Sequence, residues 1–205
     1  MSDLLPAGAE TAPAAVRNRG PILEVLKSRL PTSGAVLEIA AGTGEHAVYY
    51  AAAFPGLRWQ PTDPDPDALR SIEAWRQHAA LPNLSPARQL DAADPAAWLV
   101  EPADVVININ MIHITPWAVT QGLLAGAGRI LRSGGILFLY GPYIEPDVET
   151  VPSNLAFDRS LRSRDPEWGI RRLDDVTRLA AEHGLKLSER IAMPANNLAL
   201  FIRKT

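Results

Sequence analysis

The 205-residue sequence predicts a doubly wound α/β domain with a mostly parallel sheet. Three observations support this prediction. Short apolar runs alternate with segments of helical periodicity, which is typical of parallel strands connected by helices. A glycine-containing loop, residues 40–44, follows the first apolar run. Near the C-terminus, two apolar runs are joined by a linker too short for a crossover helix, so we expect an antiparallel pair there.

The elements follow from composition and periodicity along the chain. Residues 1–15 are rich in Ala and Pro, so we expect a mobile tail ahead of a single domain over 16–205. Pro21 suits the first turn of a helix. Periodicity and Gly/Pro breaks predict helices over 21–30, from the glycine loop to 54, and over 67–80, 116–131 and 173–183. Strands are predicted over 35–39, 57–61, 87–90, 104–110, 136–140, 185–192 and 198–203.

The composition excludes several classes of function. Charged residues make up 21% of the chain and the formal net charge is −3, which gives no electrostatic reason to expect a nucleic-acid partner. The chain has no cysteine and four scattered histidines, so we predict neither disulfides nor a metal site. No apolar run approaches the roughly 18 residues of a membrane span. Because the N-terminus does not resemble a secretory signal either, we expect a cytoplasmic protein.

Candidate binding residues fall at the carboxyl ends of predicted strands, where ligands bind in parallel sheets. Gly42 and Gly44 remove side chains where the backbone must approach a ligand closely. The carboxylate of Asp63 is placed to accept hydrogen bonds from both hydroxyls of an adenosine ribose. Asp91 or the backbone around Ala92 could meet the adenine edge, although Asp91 also suits a simple turn.

The spacing of the loop favours S-adenosylmethionine over a dinucleotide. A dinucleotide site usually reads G-x-G-x-x-G and places a pyrophosphate at a helix N-terminus. Here the spacing is A-x-G-x-G from Ala40, and Glu45 follows where it would face a pyrophosphate. Glu38 precedes the loop, and a carboxylate there suits a ligand that carries an ammonium group. S-adenosylmethionine has an amino-acid end and a sulfonium in place of phosphates, and its demethylated product is S-adenosylhomocysteine.

The segment VLEIAAGTGEHA (36–47) resembles the acidic-x-G-x-G-x-G loop of class I S-adenosylmethionine-dependent methyltransferases, with Ala40 in place of the first glycine. The order of the later motifs is similar as well. This resemblance implies a Rossmann-like, mostly parallel sheet of seven strands in which the last strand is inserted antiparallel. It also implies that Ala40 belongs to the cofactor loop.

A closer resemblance spans nearly the whole chain. The segments VRNRGPILEVL (16–26), NINMIHITPW (108–117), LYGPY (139–143) and SNLAFDRSLRSRDPEWGIRRLDDV (153–176) are similar to DUF938. This family of uncharacterised methyltransferase-like proteins includes the human methyltransferase-like protein 26, and alanine is usual in it at the position of Ala40. The resemblance implies a methyltransferase fold and identifies no substrate.

Methyl transfer requires an acceptor held over the ends of the strands at 104–110 and 136–140. A general base is needed only if the acceptor loses a proton. His113 is the best candidate because histidine titrates near neutral pH, and the alternative is a hydrogen bond into the start of the next helix. Asn108 and Asn110 are expected either to contact the methionine end of the cofactor or to satisfy backbone groups at the strand end.

Residues 141–170 are predicted to be irregular. Because a bare loop of this length is unusual, we expect residues 141–172 to form a lid. Tyr140 and Tyr143 either wall the acceptor pocket or pack under this lid. Asn154 and Arg171 are candidate substrate contacts. An arginine here could clamp a carboxylate or phosphate, or it could belong to a solvated surface of local ion pairs.

Three classes of function remain open on the sequence. The favoured one is a methyltransferase that acts on a small molecule, and a protein-methylating enzyme would share its fold. An NAD(P)-dependent oxidoreductase is disfavoured by the loop spacing and the terminal strand pair. A non-catalytic protein of the same fold is disfavoured by the intact loop and Asp63. The first helix, with Arg17 and Asn18 ahead of it, could fold over the cofactor.

Overall fold

The computed structural model describes residues 5–205 and confirms the α/β fold with a seven-stranded sheet. The helices are α1 (Pro13–Lys27), α2 (Glu45–Ala53), α3 (Pro66–Ala79), α4 (Trp117–Ile130), α5 (Pro152–Arg164) and α6 (Leu173–Glu182). The strands are β1 (Gly34–Ile39), β2 (Leu57–Asp63), β3 (Arg88–Gln89), β4 (Ala103–Ile109), β5 (Leu131–Gly141), β6 (Tyr143–Ile144), β7 (Arg171–Arg172), β8 (Leu185–Met193) and β9 (Asn197–Lys204). No helix of this part of the chain is long and apolar enough to cross a bilayer.

The seven-stranded sheet has the order β3-β2-β1-β4-β5-β9-β8. Neighbouring strands are parallel along the order β3-β2-β1-β4-β5. Strand β9 is antiparallel to both β5 and β8, as the sequence predicts. The chain moves outward from β1 to β3 and then returns to β4 on the other side of β1. This reversal opens a crevice beyond the carboxyl ends of β1 and β4, which is where ligands bind in such sheets.

Both faces of the sheet are covered by helices. Successive strand residues point to opposite faces, so Val105 and Ile107 of β4 pack with Leu26 of α1, while Val106 packs with Leu123 of α4. These five side chains are fully buried. Burial on both faces explains why β4 is a continuous apolar run rather than an alternating one.

The first helix begins earlier than the sequence predicts, at Pro13 instead of near Pro21. Pro21 lies inside α1, where it has no N–H to donate to the carbonyl of Arg17. The prediction used Pro21 as a marker of the first turn, but Pro13 occupies that position. Burial of Ile22 and Leu26 stabilises the helix in spite of the missing hydrogen bond.

The prediction of a mobile tail over residues 1–15 is wrong for the part that packs on α3. Ala9 is buried, and the N–H of Glu10 donates to Oγ of Ser71 at 2.8 Å. Residues 1–4 of the predicted tail lie outside the described residues. Contacts with a helix some sixty positions away hold the segment, and such contacts leave no signal in local composition.

The prediction that residues 141–170 are irregular is also wrong, because they contain α5 and the strand β6, which pairs in parallel with β7. Only Asn154 and Leu161 are buried among the thirteen residues of α5. The helix therefore lacks the apolar stripe on which a periodicity argument depends. Its start is marked only by Pro152.

We predict that Gly122→Ala destabilises the fold. An added Cβ would lie 2.1 Å from the carbonyl oxygen of Ala92, and this overlap with backbone should outweigh the gain in helix propensity, with a net cost of about 2 kcal/mol or more. Urea denaturation measures the change. Gln121→Ala is the control, because Gln121 is exposed on the same helix and should change the free energy of unfolding by less than about 0.5 kcal/mol. Equal changes in the free energy of unfolding for the two substitutions would contradict the close packing of α4 on the segment after β3 that contains Ala92.

Candidate functional site

A cavity of about 450 Å³ lies beyond the carboxyl ends of β1, β2 and β4, against the glycine loop. We call it the loop cavity. Its volume falls within the range of small-molecule sites. Besides the loop, it is lined by the first turn of α1 and by the segment after β4, including Ala12, Ala14, Ala15, Met111, Ile114 and Thr115.

The backbone of the glycine loop is left-handed at three positions, Ala40 (φ 55°), Gly42 (φ 57°) and Gly44 (φ 88°). A Cβ on Gly44 would lie 2.7 Å from Cα of Ile72, so this glycine is required for packing against α3. A Cβ on Gly42 would meet no heavy atom within 4 Å, although the residue lines the cavity. A side chain at Gly42 would therefore fill space that is open to a ligand.

Asp63 ends β2 and is buried, and its carboxylate lines the loop cavity. One oxygen accepts the N–H of Gly42 at 2.9 Å and the other accepts the N–H of Asp65 at 3.0 Å. Burial raises the pKa of Asp63, and these two N–H groups act against that rise. Each carboxylate oxygen can accept a further hydrogen bond, so ribose hydroxyls could still be bound.

Glu38 is buried at the carboxyl end of β1 and also lines the loop cavity. Its carboxylate accepts the indole N–H of Trp59 at 2.6 Å. Burial raises the pKa of Glu38 to about 7, against the lowering effect of this hydrogen bond. The side chain is therefore fixed by the core, and its charge at neutral pH depends on what the cavity contains.

The third predicted acid, Asp91, is exposed at the end of β3 and lines the loop cavity together with the buried Ala92. One carboxylate oxygen accepts the N–H of Ala93 at 2.8 Å, as expected for a turn. The loop cavity thus has carboxylates at Glu38, Asp63 and Asp91, while no Lys or Arg of the described chain lines it. This lining favours a cationic ligand over an anionic one.

The two asparagines at the end of β4 have different positions. Asn108 is buried and donates from Nδ2 to the carbonyl of Ile39 at 3.0 Å, and it does not line the loop cavity. Its side chain satisfies backbone at the strand end, which corrects its assignment as a cofactor contact. Asn110 has φ 60°, donates its N–H to the carbonyl of Tyr140 and lines the loop cavity.

A second cavity, of about 850 Å³, lies beside the loop cavity. We call it the α5 cavity. It is lined by residues of α1, α5, the ends of β4 and β5, and the turn over 194–197. Ala14, Asn110 and Ile114 line both cavities. The two sites therefore adjoin along one boundary.

His113 lies in the wall of the α5 cavity and is almost fully buried. Its ring packs edge-on against Phe157, with centroids 5.6 Å apart, and its Nδ1 has no hydrogen-bond partner in the described chain. Burial lowers the pKa of His113 to about 4, with further lowering by the positive charges of Arg171 and Arg164. The imidazole is therefore neutral at pH 7 and retains one nitrogen lone pair.

The structure separates the predicted substrate residues. Tyr140 and Asn154 line the α5 cavity, and Nδ2 of Asn154 donates to the carbonyl of Asn196 at 3.1 Å. Tyr143 does not line it; the side chain is buried beside a smaller cavity of about 200 Å³, and its hydroxyl has no partner in the described chain. Burial raises the pKa of this hydroxyl. Tyr143 thus belongs to the core and does not wall the larger site.

The assignment of Arg171 as a substrate contact is corrected. The guanidinium does not line the α5 cavity. It donates to the carbonyls of Ile112 (2.9 Å), Thr115 and Glu167 (3.0 Å). Arg171 therefore fixes the segment after β4, on which His113 lies.

Sequence reasoning missed how α1 is attached to the site. Glu45 accepts the N–H of Ala12 at 2.6 Å, and His46 Nε2 donates to Oδ1 of Asn18 at 2.7 Å. These contacts place the first turn of α1 on the loop cavity, and Arg17 and Asn18 on the α5 cavity. In the sequence, this region is marked only by the segment from residue 16 that resembles DUF938. That resemblance gives no indication of the hydrogen-bond partners of α1.

The chain matches, over residues 9–204, the family described as "Protein of unknown function (DUF938)". Among solved structures, an O-methyltransferase family protein from Burkholderia thailandensis matches with a TM-score of 0.79 at 18% identity, over 94% of this chain and 57% of that one. An O-methyltransferase family 2 protein from Planctomyces limnophilus, in complex with apigenin, matches with a TM-score of 0.77 at 19% identity, over 94% and 60% of the two chains.

A third match is CalO1, a methyltransferase in calicheamicin biosynthesis, in its S-adenosylhomocysteine-bound form. Its TM-score is 0.74 at 14% identity, over 94% of this chain and 55% of that one. The chain thus spans slightly more than half the length of these three structures. At such identities the likeness shows the methyltransferase fold.

Burial of His113 should make the stability of the fold depend on pH. The pKa of this group is about 4 in the folded chain and 6.5 as a free side chain, so the unfolded chain binds more protons between these values. The free energy of unfolding should fall as the pH is lowered from 6.5 to 4, and His113 should account for up to roughly 3 kcal/mol of the loss.

Urea denaturation of the wild type and of His113→Gln over this pH range measures the contribution. The variant lacks the titrating group and should lose less free energy of unfolding than the wild type. Burial also lowers the pKa of His46, to about 4, and Glu38 titrates in the opposite sense. Both groups are present in the two proteins and cancel in the difference. If the free energies of unfolding of the two proteins changed equally with pH, a neutral, buried His113 would be contradicted.

Proposed function

We propose that this chain, which belongs to the DUF938 family, is an S-adenosylmethionine-dependent methyltransferase that acts on a small molecule. The observation that carries the proposal is the pair of adjoining cavities with a common boundary of Ala14, Asn110 and Ile114. A donor in one cavity and an acceptor in the other would be held in contact, which converts a bimolecular step into an effectively unimolecular one.

The charge of the loop cavity supports S-adenosylmethionine as the donor. The lining carboxylates of Glu38, Asp63 and Asp91 suit a ligand with a sulfonium and an ammonium group. The pyrophosphate of a dinucleotide would face the same carboxylates without a lining Lys or Arg from the described chain, which disfavours an oxidoreductase. The S-adenosylhomocysteine-bound form of CalO1, which shares the fold, is consistent with this choice.

The cofactor contacts can be assigned residue by residue. Asp63 would accept the ribose hydroxyls, Asp91 and Ala92 would meet the adenine, and Gly42 would allow close backbone approach. Asn110, at the boundary of the two cavities, would lie nearest the reacting centre. When bound, S-adenosylmethionine supplies a methyl group activated by a positively charged sulfur.

His113 would orient the acceptor. Because the imidazole is neutral at pH 7, a lone pair on the ring nitrogen that faces the α5 cavity would accept a hydrogen bond from a hydroxyl or amine there. A pKa of about 4 makes it a weak general base. It can therefore take a proton only from an acceptor that loses one easily or that becomes acidic as the methyl group is transferred.

A small-molecule acceptor fits the concave α5 cavity better than a protein substrate, which would need an open groove. We further propose that α5 and its flanking strands, within residues 141–172, act as the lid of this cavity in a single domain over 16–205. The kinship with methyltransferase-like protein 26, the absence of nucleic-acid and membrane partners, and the cytoplasmic location stay predictions.

We predict that Asp63→Ala weakens binding of S-adenosylhomocysteine by about 100-fold or more. The substitution removes two hydrogen bonds to the ribose from a charged, buried acceptor, each of which contributes roughly 1.5–3 kcal/mol. Isothermal titration calorimetry measures the affinity. Asp67→Ala is the control, since Asp67 is exposed and lines neither cavity, and its affinity should equal that of the wild type.

The same titration with NADH separates the proposal from its main alternative. The wild type should bind S-adenosylhomocysteine and not NADH. Preference for NADH would point to an oxidoreductase. Absence of binding by either ligand would contradict a cofactor-dependent enzyme and favour a non-catalytic protein of this fold.

A further inference from the structure

Arg17 is the one formally charged side chain among the described residues that line the α5 cavity. No Asp or Glu of residues 5–205 lines this cavity, and His113 is neutral at pH 7. The loop cavity beside it has three carboxylates and no cation from the same part of the chain. The two cavities therefore have opposite charge, and a ligand of the α5 cavity would be selected by a guanidinium.

The backbone at Arg17 is held in place by the next residue of α1. Its neighbour Asn18 is buried and accepts a hydrogen bond from His46 at 2.7 Å. Within residues 5–205, the guanidinium of Arg17 makes no hydrogen bond and no ion pair. Its five N–H donors thus remain available to a planar oxyanion.

No arginine of the lid segment lines the α5 cavity, and three of them are engaged by protein groups. Arg162 pairs with Asp158 at 2.8 Å and Arg172 pairs with Asp174 at 2.9 Å. Arg171 is bonded to backbone carbonyls. These side chains resemble the local ion pairs of an ordinary surface, so Arg17 is the better candidate for a clamp.

The rest of the α5 cavity is neutral. Its amide side chains, among them Asn110 and Asn154, can hydrogen-bond without adding charge, and Tyr140 and Phe157 provide aromatic walls. The positive charges of Arg164 and Arg171 also act on this wall, since they help to lower the pKa of His113. The field inside the cavity therefore favours a negatively charged ligand.

We infer that the acceptor bound in the α5 cavity carries a single carboxylate, held by Arg17, on an apolar body that packs against the aromatic wall. A planar carboxylate matches the fork of one guanidinium in both geometry and charge. A doubly charged phosphate would leave one negative charge without a partner. This inference rests on the proposed function, because it takes the α5 cavity as the acceptor site.

Benzoate and benzamide provide a test, because they have nearly the same shape and differ in charge. Each is titrated into protein saturated with S-adenosylhomocysteine, and binding is followed by ligand-observed NMR. Benzoate should bind at least ten times more tightly than benzamide. Arg17→Gln should abolish this preference. Arg58→Gln, which removes the same charge from an exposed position on β2 that lines neither cavity, should retain it.

Equal affinities for benzoate and benzamide in the wild type would overturn the inference. So would an Arg17→Gln variant that loses affinity for S-adenosylhomocysteine but keeps the preference for benzoate, since Arg17 would then serve the cofactor's carboxylate. If phenyl phosphate bound ten times more tightly than benzoate, the inference of a carboxylate would also be overturned, because the site would then select a phosphate. Failure of S-adenosylhomocysteine itself to bind contradicts the proposed function. Equal affinities for benzoate and benzamide in wild-type protein that has S-adenosylhomocysteine bound contradict only this inference.

Discussion

The hydrogen bond from the N–H of Gly42 to the carboxylate of Asp63 joins the carboxyl ends of β1 and β2 at 2.9 Å. The strand order brings these ends together at the reversal point of the sheet. The bond then fixes the left-handed loop against β2 and orients a buried acid toward the cavity. Parallel strands alone would supply the crevice, but this contact also fixes a carboxylate in its wall.

The second feature of the molecule is a division of charge between two neighbouring cavities. The acids of the loop cavity come from the ends of β1, β2 and β3, whereas Arg17 comes from α1. Helix α1 contributes to both because Glu45 holds the N–H of Ala12 and His46 bonds to Asn18. A cationic donor and an anionic acceptor would each be attracted to its own side of a boundary that contains Asn110.

The sheet could be predicted from the sequence because each of its strands has a local signal. The apolar run of β4, the glycine loop after β1 and the short linker before β9 are each sufficient to place an element, and Asp63 was located by its position at a strand end. These signals act over a few residues, so composition and spacing reveal them.

The parts that could not be predicted depend on contacts distant in sequence. The start of α1 is held by Ser71 and Glu45, and α5 buries too few side chains to show a helical pattern. Asn108 and Arg171 have the chemistry of ligand contacts, but the fold occupies their donors with backbone carbonyls. Whether a polar side chain faces a ligand or the protein is decided by packing, and periodicity does not report it.

A crystal structure with S-adenosylhomocysteine bound tests the central claim most directly. The ribose hydroxyls should lie on the carboxylate of Asp63 and the adenine beside Ala92. The sulfur should lie at the boundary formed by Ala14, Asn110 and Ile114, facing the α5 cavity. A ligand bound elsewhere, or one whose sulfur points away from that boundary, would contradict the pairing of a donor site with an acceptor site.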